Sequence, residues 1–253
     1  MFRPRPISGF TLIELLTAIA IISTLAAMLL PVLGRARERS NACRCLSNES
    51  QLGKAMLIYV HDWDDTYPSA WFDNLGGGDP YNWKLLLLSY LSTPDVFRCP
   101  TNPVADSRFD QPAGRGVRIS LCYVANRSTI PEFMLDGSRV TSAADLTEPA
   151  DTIMILENRT RWADQGVWAV DQRGDDVLPP EGYSQPETMG PFNSHSGLVN
   201  IVFMDGHARA LPLAHTLTPK EMWRDNLRDP ATVYNQEWCT AAASRLAAEY
   251  ATR

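Results

Sequence analysis

The sequence has little of what marks an enzyme or a nucleic-acid-binding protein. It contains 4 histidines and 5 cysteines in 253 residues, and the cysteines are too few and too irregularly spaced for a disulfide scaffold or a zinc ribbon. The net charge of −6 provides no basic face, so we predict no nucleic-acid partner. The sequence also has no phosphate-binding loop, nucleophile elbow or internal repeat. These absences favour a structural role, and we predict neither catalysis nor a resident cofactor.

Charge is scarcest over residues 10–33, a run of 24 largely apolar residues in which Glu14 is the one charged side chain. A helix of that length is roughly 36 Å long, which exceeds the about 30 Å of a bilayer core. Arg3 and Arg5 precede the run. A secretory signal peptide cleaved near Ala26 and an uncleaved membrane anchor both fit this pattern. In either case we expect residues 10–33 to insert into a membrane.

Glu14 favours a third interpretation, because a carboxylate in a lipid-facing helix costs about 3 kcal/mol and usually has a function. Residues Gly9 to Glu14 (GFTLIE) resemble the prepilin cleavage and methylation motif of type IV pilins and type II secretion pseudopilins. The resemblance implies cleavage after Gly9, methylation of the new amine of Phe10, and a helix kink at Pro31. In a filament, Glu14 would pair with the N-terminal amine of a neighbouring subunit, which offsets the burial of both charges.

The resemblance also implies partners and a location. The partners are prepilin peptidase, other pilin or pseudopilin subunits and the inner membrane, which the chain would cross once. The body would lie on the periplasmic side or in an extracellular filament. Arg35, Arg37 and Arg39 follow the apolar run, so the orientation depends on the resemblance rather than on charge counting. The alternative is a membrane-tethered ligand-binding or enzymatic ectodomain that uses the same export route.

The helix is predicted to continue beyond the membrane. Apolar residues recur at helical spacing as far as Val60, and the polar stretch from His61 ends the pattern. The expected segments are a leader peptide (1–9), the transmembrane and assembly half of the helix (10–33), its exported amphipathic half (34–61) and a globular body (62–253).

Short, mixed signals in the body predict a small antiparallel sheet with short helices, and therefore an α+β, pilin-like fold. Strands are expected over residues 119–125 and 152–156, and a hairpin is expected around a two-residue turn at Asp205-Gly206. Helices are expected at residues 83–91, from Thr218 to about Leu227 after a capping box, and from about Gln236 to Ala251.

His195 and Asp205-Gly206 resemble the H-x(9)-D-G signature of a large group of prepilin-like proteins. Further resemblance to this group follows Cys45 and covers Phe97 to Pro100 and Glu148 to Thr152. Histidine and aspartate could be metal ligands. However, ten residues of strand place the two ends of the signature up to about 33 Å apart. We therefore interpret His195 and Asp205-Gly206 as structural residues of a hairpin.

An acidic cluster formed by Asp62, Asp64 and Asp65 is a second candidate metal site. Major pseudopilins hold calcium in a C-terminal loop, and carboxylates are the ligands that calcium prefers. The spacing here matches no calcium loop that we can align. Calcium therefore stays a weak candidate beside a solvated acidic turn.

Cys99 and Cys122 lie in the part of the chain expected to be exported, where disulfides persist. A bond between them would close a loop of about 24 residues and stabilise the fold by roughly 3 kcal/mol. Cys43 and Cys45 are two residues apart on the predicted helix and point in different directions, so we interpret them as packing residues.

Overall fold

The computed structural model describes residues 11–72, 81–102, 108–110, 118–126, 128–130, 141–157, 164–165, 195, 197–220, 222–223 and 236–251. The chain divides into two units, residues 1–40 and 41–253. The long helix α1 runs from Leu12 to Asp62 and includes Pro31. This confirms the predicted long helix, while a kink at Pro31 stays a prediction.

In the first unit the apolar side chains of α1 are exposed. Leu12 is 77% and Leu30 is 68% exposed, and the most apolar stretch of the helix has no buried residue. The helix is long and apolar enough to cross a membrane.

The second unit is built on a mixed sheet with the strand order β7-β5-β6-β8-β9. Neighbouring strands are antiparallel except β7, which is parallel to β5. The strands of this sheet are β5 (Tyr123–Asn126), β6 (Ile153–Glu157), β7 (Asp164–Gln165), β8 (Leu198–Phe203) and β9 (Ala208–Pro212). Two further antiparallel pairs are β1 (Trp71–Phe72) with β2 (Tyr81–Asn82), and β3 (Arg108–Asp110) with β4 (Arg118–Ser120).

Short helices complete the second unit. The α-helices are α2 (Trp83–Leu87) and α3 (Gln236–Ala251), and the 3₁₀ turns are Leu88–Tyr90, Pro94–Phe97, Ala143–Asp145 and Leu213–Thr216. The structure therefore confirms the α+β class, the strands near residues 119–125 and 152–156, and the helices at residues 83–91 and 236–251.

The core has two parts, because successive side chains of a strand point to opposite faces of the sheet. On β5, Tyr123 and Ala125 join a cluster with the C-terminal half of α1, whereas Val124 joins a cluster that includes Ala242 of α3. The C-terminal half of α1 contributes Leu52, Met56 and other buried side chains to the first cluster. The sheet is thus covered on one face by residues of α1 and on the other by residues of α3.

The backbone of α1 lies close to the sheet and its hairpin loop at Gly53. A Cβ atom at this position would lie 2.5 Å from the carbonyl oxygen of Gly206 and 2.8 Å from Cγ1 of Val202. Gly206 in turn has a φ of +85° and faces Leu57 of α1. Both glycines are required here, because a side chain on either would occupy the space of the opposing element.

The hairpin between β8 and β9 is confirmed, but its predicted two-residue turn is wrong. The amide of Phe203 donates to the carbonyl of His207 (2.9 Å), so the loop contains three residues. The amides of Met204 and Asp205 donate instead to the carbonyls of Thr152 (2.9 Å) and Pro149 (3.2 Å). These long-range bonds draw Met204 out of the ladder, and Gly206 then closes the loop with its positive φ.

The helix predicted after Thr218 is also wrong over the residues that the structure describes. Pro219, Lys220, Met222 and Trp223 are not helical. The backbone of Met222 pairs elsewhere, since its amide donates to the carbonyl of Thr216 (2.9 Å) and its carbonyl accepts from the amide of Ile153 (2.7 Å). Backbone hydrogen bonds to Thr216 and to the start of β6 have therefore replaced the expected first helical turn.

Candidate functional site

The start of α1 is capped by three hydrogen bonds between Thr11 and Glu14. Thr11 Oγ1 accepts from the amide of Glu14 (3.3 Å), and Glu14 Oε2 accepts from the amide (2.9 Å) and the hydroxyl (2.7 Å) of Thr11. This is a capping box, with threonine before the helix and glutamate three residues later. Gly9 and Phe10 lie outside the described residues. Glu14 itself is exposed within one chain, so its carboxylate is accessible to a partner.

The acidic cluster at the end of α1 forms a chain reversal. Asp64 and Asp65 have left-handed φ angles of 51° and 54°, and the carbonyl of Asp65 accepts from the amide of Ala143 (2.7 Å). Asp62, Asp64 and Asp65 are all exposed. Within the described residues, the side chains that come close enough to hold a metal ion together lie elsewhere. Calcium at the acidic cluster stays a prediction.

The two ends of the H-x(9)-D-G signature occupy different surroundings. Asp205 is in the exposed hairpin loop, where its Oδ1 accepts from the amide of His207 (3.1 Å) and lies 2.6 Å from His207 Nδ1. The ring of His207 stacks on Phe203 with the centroids 4.4 Å apart. His195 is instead buried before β8, in an isolated bridge to Leu198. His195 does not continue the pairing of β8 with β9, because the chain reverses at Gly197, whose φ is +81°.

His195 belongs to a group of four buried side chains that the sequence did not indicate. One ligand-type atom of each lies within 4.8 Å of the corresponding atoms of the other three. His195 Nε2 is 3.0 Å from Glu157 Oε1 and 3.5 Å from Cys99 Sγ. We call this group the buried cluster: Cys45, Cys99, Glu157 and His195.

Each member of the buried cluster comes from a different part of the fold. Cys45 is on the C-terminal half of α1, Cys99 follows the 3₁₀ turn at residues 94–97, Glu157 ends β6, and His195 precedes β8. Cys45, Cys99 and Glu157 are 0% exposed and His195 is 3% exposed. Four distant segments therefore deliver polar side chains to one point in the core.

Further polar groups surround the buried cluster. Thr101 Oγ1 lies 3.3 Å from Cys99 Sγ, and the amide of Asn200 donates to Glu157 Oε2 (3.5 Å). Glu49, one helical turn after Cys45, is 0% exposed, and neither of its carboxylate oxygens has a hydrogen-bond partner within the described part of the chain. Among the same residues, the buried hydroxyl of Tyr123 also has no partner. Unpartnered buried polar atoms are rare in folded proteins and require an explanation.

The protonation of the buried cluster is strongly perturbed. Burial raises the pKa of Glu157 to about 7. Burial lowers the pKa of His195, but its hydrogen bonds with Cys99 and Glu157 outweigh this and raise it to about 10. A hydrogen bond between the two cysteines lowers the pKa of Cys99 and raises that of Cys45. Burial, and then the negative charges of Glu157 and Cys99, raise the pKa of Glu49 well above its usual range. Acidic groups are thus concentrated around one histidine.

The arrangement does not match a nucleophilic triad. In such a triad the nucleophile and the acid contact different nitrogens of the histidine. Here Cys99 and Glu157 both face Nε2 of His195, and no member of the cluster is exposed. Side chains that converge on one point are instead arranged as metal ligands are around an ion.

The disulfide expected between Cys99 and Cys122 is not formed, and both residues are free cysteines. The Sγ atom of Cys122 lies 3.2 Å from Ser120 Oγ and 3.7 Å from the carbonyl oxygen of Cys99. The Sγ atom of Cys99 faces His195 instead. The two thiols therefore have different partners. Cys45, which was interpreted as a packing residue, is a member of the buried cluster.

One comparison with known proteins gives a match. Residues 4–30 match the family model described as the prokaryotic N-terminal methylation motif. This confirms the prepilin-type character of the N-terminal segment and supports a pilin-type precursor. The match ends at residue 30 and does not bear on the H-x(9)-D-G signature. Comparisons with curated proteins and with solved structures give no match.

Proposed function

We propose that the chain is a structural subunit of the pilin or pseudopilin type. Prepilin peptidase cleaves it after Gly9 and methylates Phe10, α1 holds it in the inner membrane, and copies assemble into a filament of a type II secretion system or of a type IV pilus-like fibre. The observation that carries the proposal is the methylation motif over residues 4–30, at the start of a helix whose apolar side chains are exposed.

The exposed apolar side chains of α1 require an apolar environment in which they can be buried. Burying one leucine or isoleucine side chain is worth about 1.5 to 3 kcal/mol, and this helix exposes many of them, including Ile13, Ile22 and Leu29. A lipid bilayer before assembly and a bundle of identical helices after assembly both supply that burial. The body, in contrast, has its own core and stays outside the membrane.

Glu14 has two roles in this proposal. In a single chain its Oε2 atom caps α1 through Thr11. In the filament its carboxylate pairs with the N-terminal amine of a neighbouring subunit and sets the stagger between subunits. The capping box holds the carboxylate at the very start of the helix, close to where its own N-terminus is expected. The charge of Glu14 is needed for the second role but not for the first, because glutamine also completes a capping box.

Within the residues that the structure describes, no specific observation favours the alternative of a ligand-binding or enzymatic ectodomain. The polar groups that converge in the described part of the chain are buried. The groove found there is lined mainly by apolar side chains, such as Tyr59, Trp63 and Leu86. We therefore retain the structural subunit.

The test separates the two roles of Glu14. Full-length Glu14→Gln, Glu14→Ala and the matched control Thr24→Ala, which removes a hydroxyl from the same helix, are expressed with the cognate secretion or pilus machinery. All three should be anchored in the membrane. Glu14→Gln and Glu14→Ala should both lose subunit–subunit cross-links, whereas Thr24→Ala should keep them. If Glu14→Gln assembles as well as the wild type, charge pairing does not set the stagger and this part of the proposal is wrong.

A further inference from the structure

We propose that the buried cluster is a structural metal site that binds one divalent transition-metal ion, with zinc as the expected ion. The site would fasten α1 to the sheet through its four ligands. This inference concerns the body of the protein and does not depend on filament assembly.

The spacing within the buried cluster fits tetrahedral coordination. With Zn–S near 2.3 Å and Zn–N near 2.05 Å, tetrahedral geometry places sulfur and nitrogen about 3.5 Å apart. The observed separation between Cys99 Sγ and His195 Nε2 is 3.5 Å. Nitrogen and oxygen ligands would be about 3.4 Å apart, and the observed separation from Glu157 Oε1 is 3.0 Å. Since no pair exceeds 4.8 Å, small side-chain movements complete the tetrahedron.

The chemistry of the ligand set selects the ion. Two thiolates, one imidazole and one carboxylate form a mixed sulfur, nitrogen and oxygen set, which suits zinc and similar borderline-soft ions. Calcium and magnesium prefer sets composed of oxygen atoms alone. All four ligands come from the protein and are buried, and this closed first shell is typical of a structural site rather than a catalytic one.

Glu49 supplies an independent observation. Its carboxylate is fully buried, and neither oxygen has a hydrogen-bond partner among the residues that the structure describes. Buried charges are normally paired or coordinate a metal. A divalent cation in the buried cluster would give the carboxylates of Glu49 and Glu157 the positive charge that this part of the core needs.

The proposed site explains why His195 is buried, whereas Asp205 at the other end of the H-x(9)-D-G signature lies in the exposed hairpin loop. Cys45, Cys99 and His195 each lie in or beside a segment that resembles the same group of prepilin-like proteins. The bound ion would join the exported half of α1 to Cys99, the end of β6 and the start of β8. Because the four segments are distant in sequence, the ion would close long loops, which is where a cross-link stabilises most in the chain-entropy model.

The main competing outcome is a disulfide between Cys45 and Cys99. Both are free cysteines in the structure, although disulfides persist in exported proteins. A disulfide would not explain why His195 and Glu157 converge on the same point. Mass spectrometry of alkylated peptides distinguishes the two outcomes. After a chelator has removed the ion, both thiols of a metal site react with the alkylating reagent, whereas the sulfurs of a disulfide do not.

The experiment uses the full chain, extracted from membranes in detergent and purified without a polyhistidine tag. Elemental analysis should find about one zinc per chain in the wild type, as one four-ligand site requires. Replacement by Co²⁺ should give thiolate-to-metal charge-transfer absorption and the d–d bands of tetrahedral cobalt. Loss of a residue that only hydrogen-bonds a ligand lowers metal affinity about 10- to 100-fold, so Cys99→Ser and His195→Ala should lower the zinc affinity, measured in competition with a chelator, at least about tenfold.

Cys122→Ser is the matched control, because Cys122 is also buried but lies outside the cluster. It should keep its zinc. Zinc in the wild type that depends on Cys99 and His195 but not on Cys122 supports the site. If a ligand variant fails to fold, the cobalt spectrum of the wild type decides the question. A wild type without stoichiometric zinc or cobalt spectrum, a Cys45–Cys99 disulfide, or equal zinc loss in Cys122→Ser would each overturn the proposal.

Discussion

The substitution Gly53→Ala tests how closely α1 packs on the sheet. The added Cβ would lie 2.5 Å from the carbonyl oxygen of Gly206 and 2.8 Å from Val202 Cγ1. Both distances are below normal van der Waals contact, and the first involves backbone that has no rotamer by which to move away. Overpacking of this kind costs about 1 to 3 kcal/mol, and the backbone contact places the cost near the upper value.

A gain in helix propensity opposes this cost. Replacing glycine by alanine inside a helix is worth about 1 kcal/mol. The steric cost is larger, so we expect a net loss of about 1 to 2 kcal/mol. For a unit of this size that corresponds to a fall in the unfolding midpoint of roughly 2 to 8 °C.

The assay is thermal unfolding of the body, followed by tryptophan fluorescence of the detergent-solubilised protein. Gly34→Ala is the matched control, because Gly34 lies in the same helix and an added Cβ would meet nothing within 4 Å. It should leave the midpoint unchanged or raise it slightly. If Gly53→Ala were as stable as Gly34→Ala, the close approach of α1 to the hairpin loop would be wrong.

Three further predictions concern the hairpin loop and two buried polar side chains. Gly206→Ala should lower the unfolding midpoint, because φ is +85° there and the new Cβ would lie 2.5 Å from Leu57 Cδ1. Asn126→Ala should cost about 2 to 3 kcal/mol in a denaturant titration, since its side-chain amide donates to two buried backbone carbonyls at 2.8 and 2.7 Å. Lys84 is fully buried, and burial lowers its pKa to about 7. The unfolded chain therefore binds more protons above that pH, so the stability due to Lys84 should increase as the pH rises from about 7 towards 10. In Lys84→Met, the unfolding midpoint should therefore depend less on pH over this range. If the slope of the midpoint against pH is unchanged, Lys84 does not cause the pH dependence.

The parts of the fold that could be predicted from the sequence are those specified by local patterns. The periodicity of apolar residues predicts α1 to within about two residues of its observed end, a normal margin for helix boundaries. The Asp205-Gly206 pair similarly predicts the β8–β9 hairpin. The details of its turn could not be predicted, because Met204 and Asp205 form hydrogen bonds to residues about 50 positions away.

The buried cluster was missed for a related reason. Its members are separated by at least 38 positions in the sequence, so no spacing pattern connects them. Cys99 was instead assigned to a disulfide with Cys122, its nearest cysteine expected in the body. The sequence offered only a partial signal, because Cys99 and His195 lie in stretches that resemble one group of proteins and Cys45 precedes another such stretch. The three-dimensional fold brings these three residues and Glu157 together.

The mature N-terminus provides the most direct test of the central proposal. Intact-mass and peptide mass spectrometry of the membrane-extracted protein should identify N-methyl-Phe10 as the first residue. A strain without prepilin peptidase should accumulate the chain with residues 1–9 still attached. A mature protein that begins at Met1, or near residue 28 as after signal-peptide cleavage, would contradict processing between Gly9 and Phe10 and with it the assignment as a pilin-type subunit.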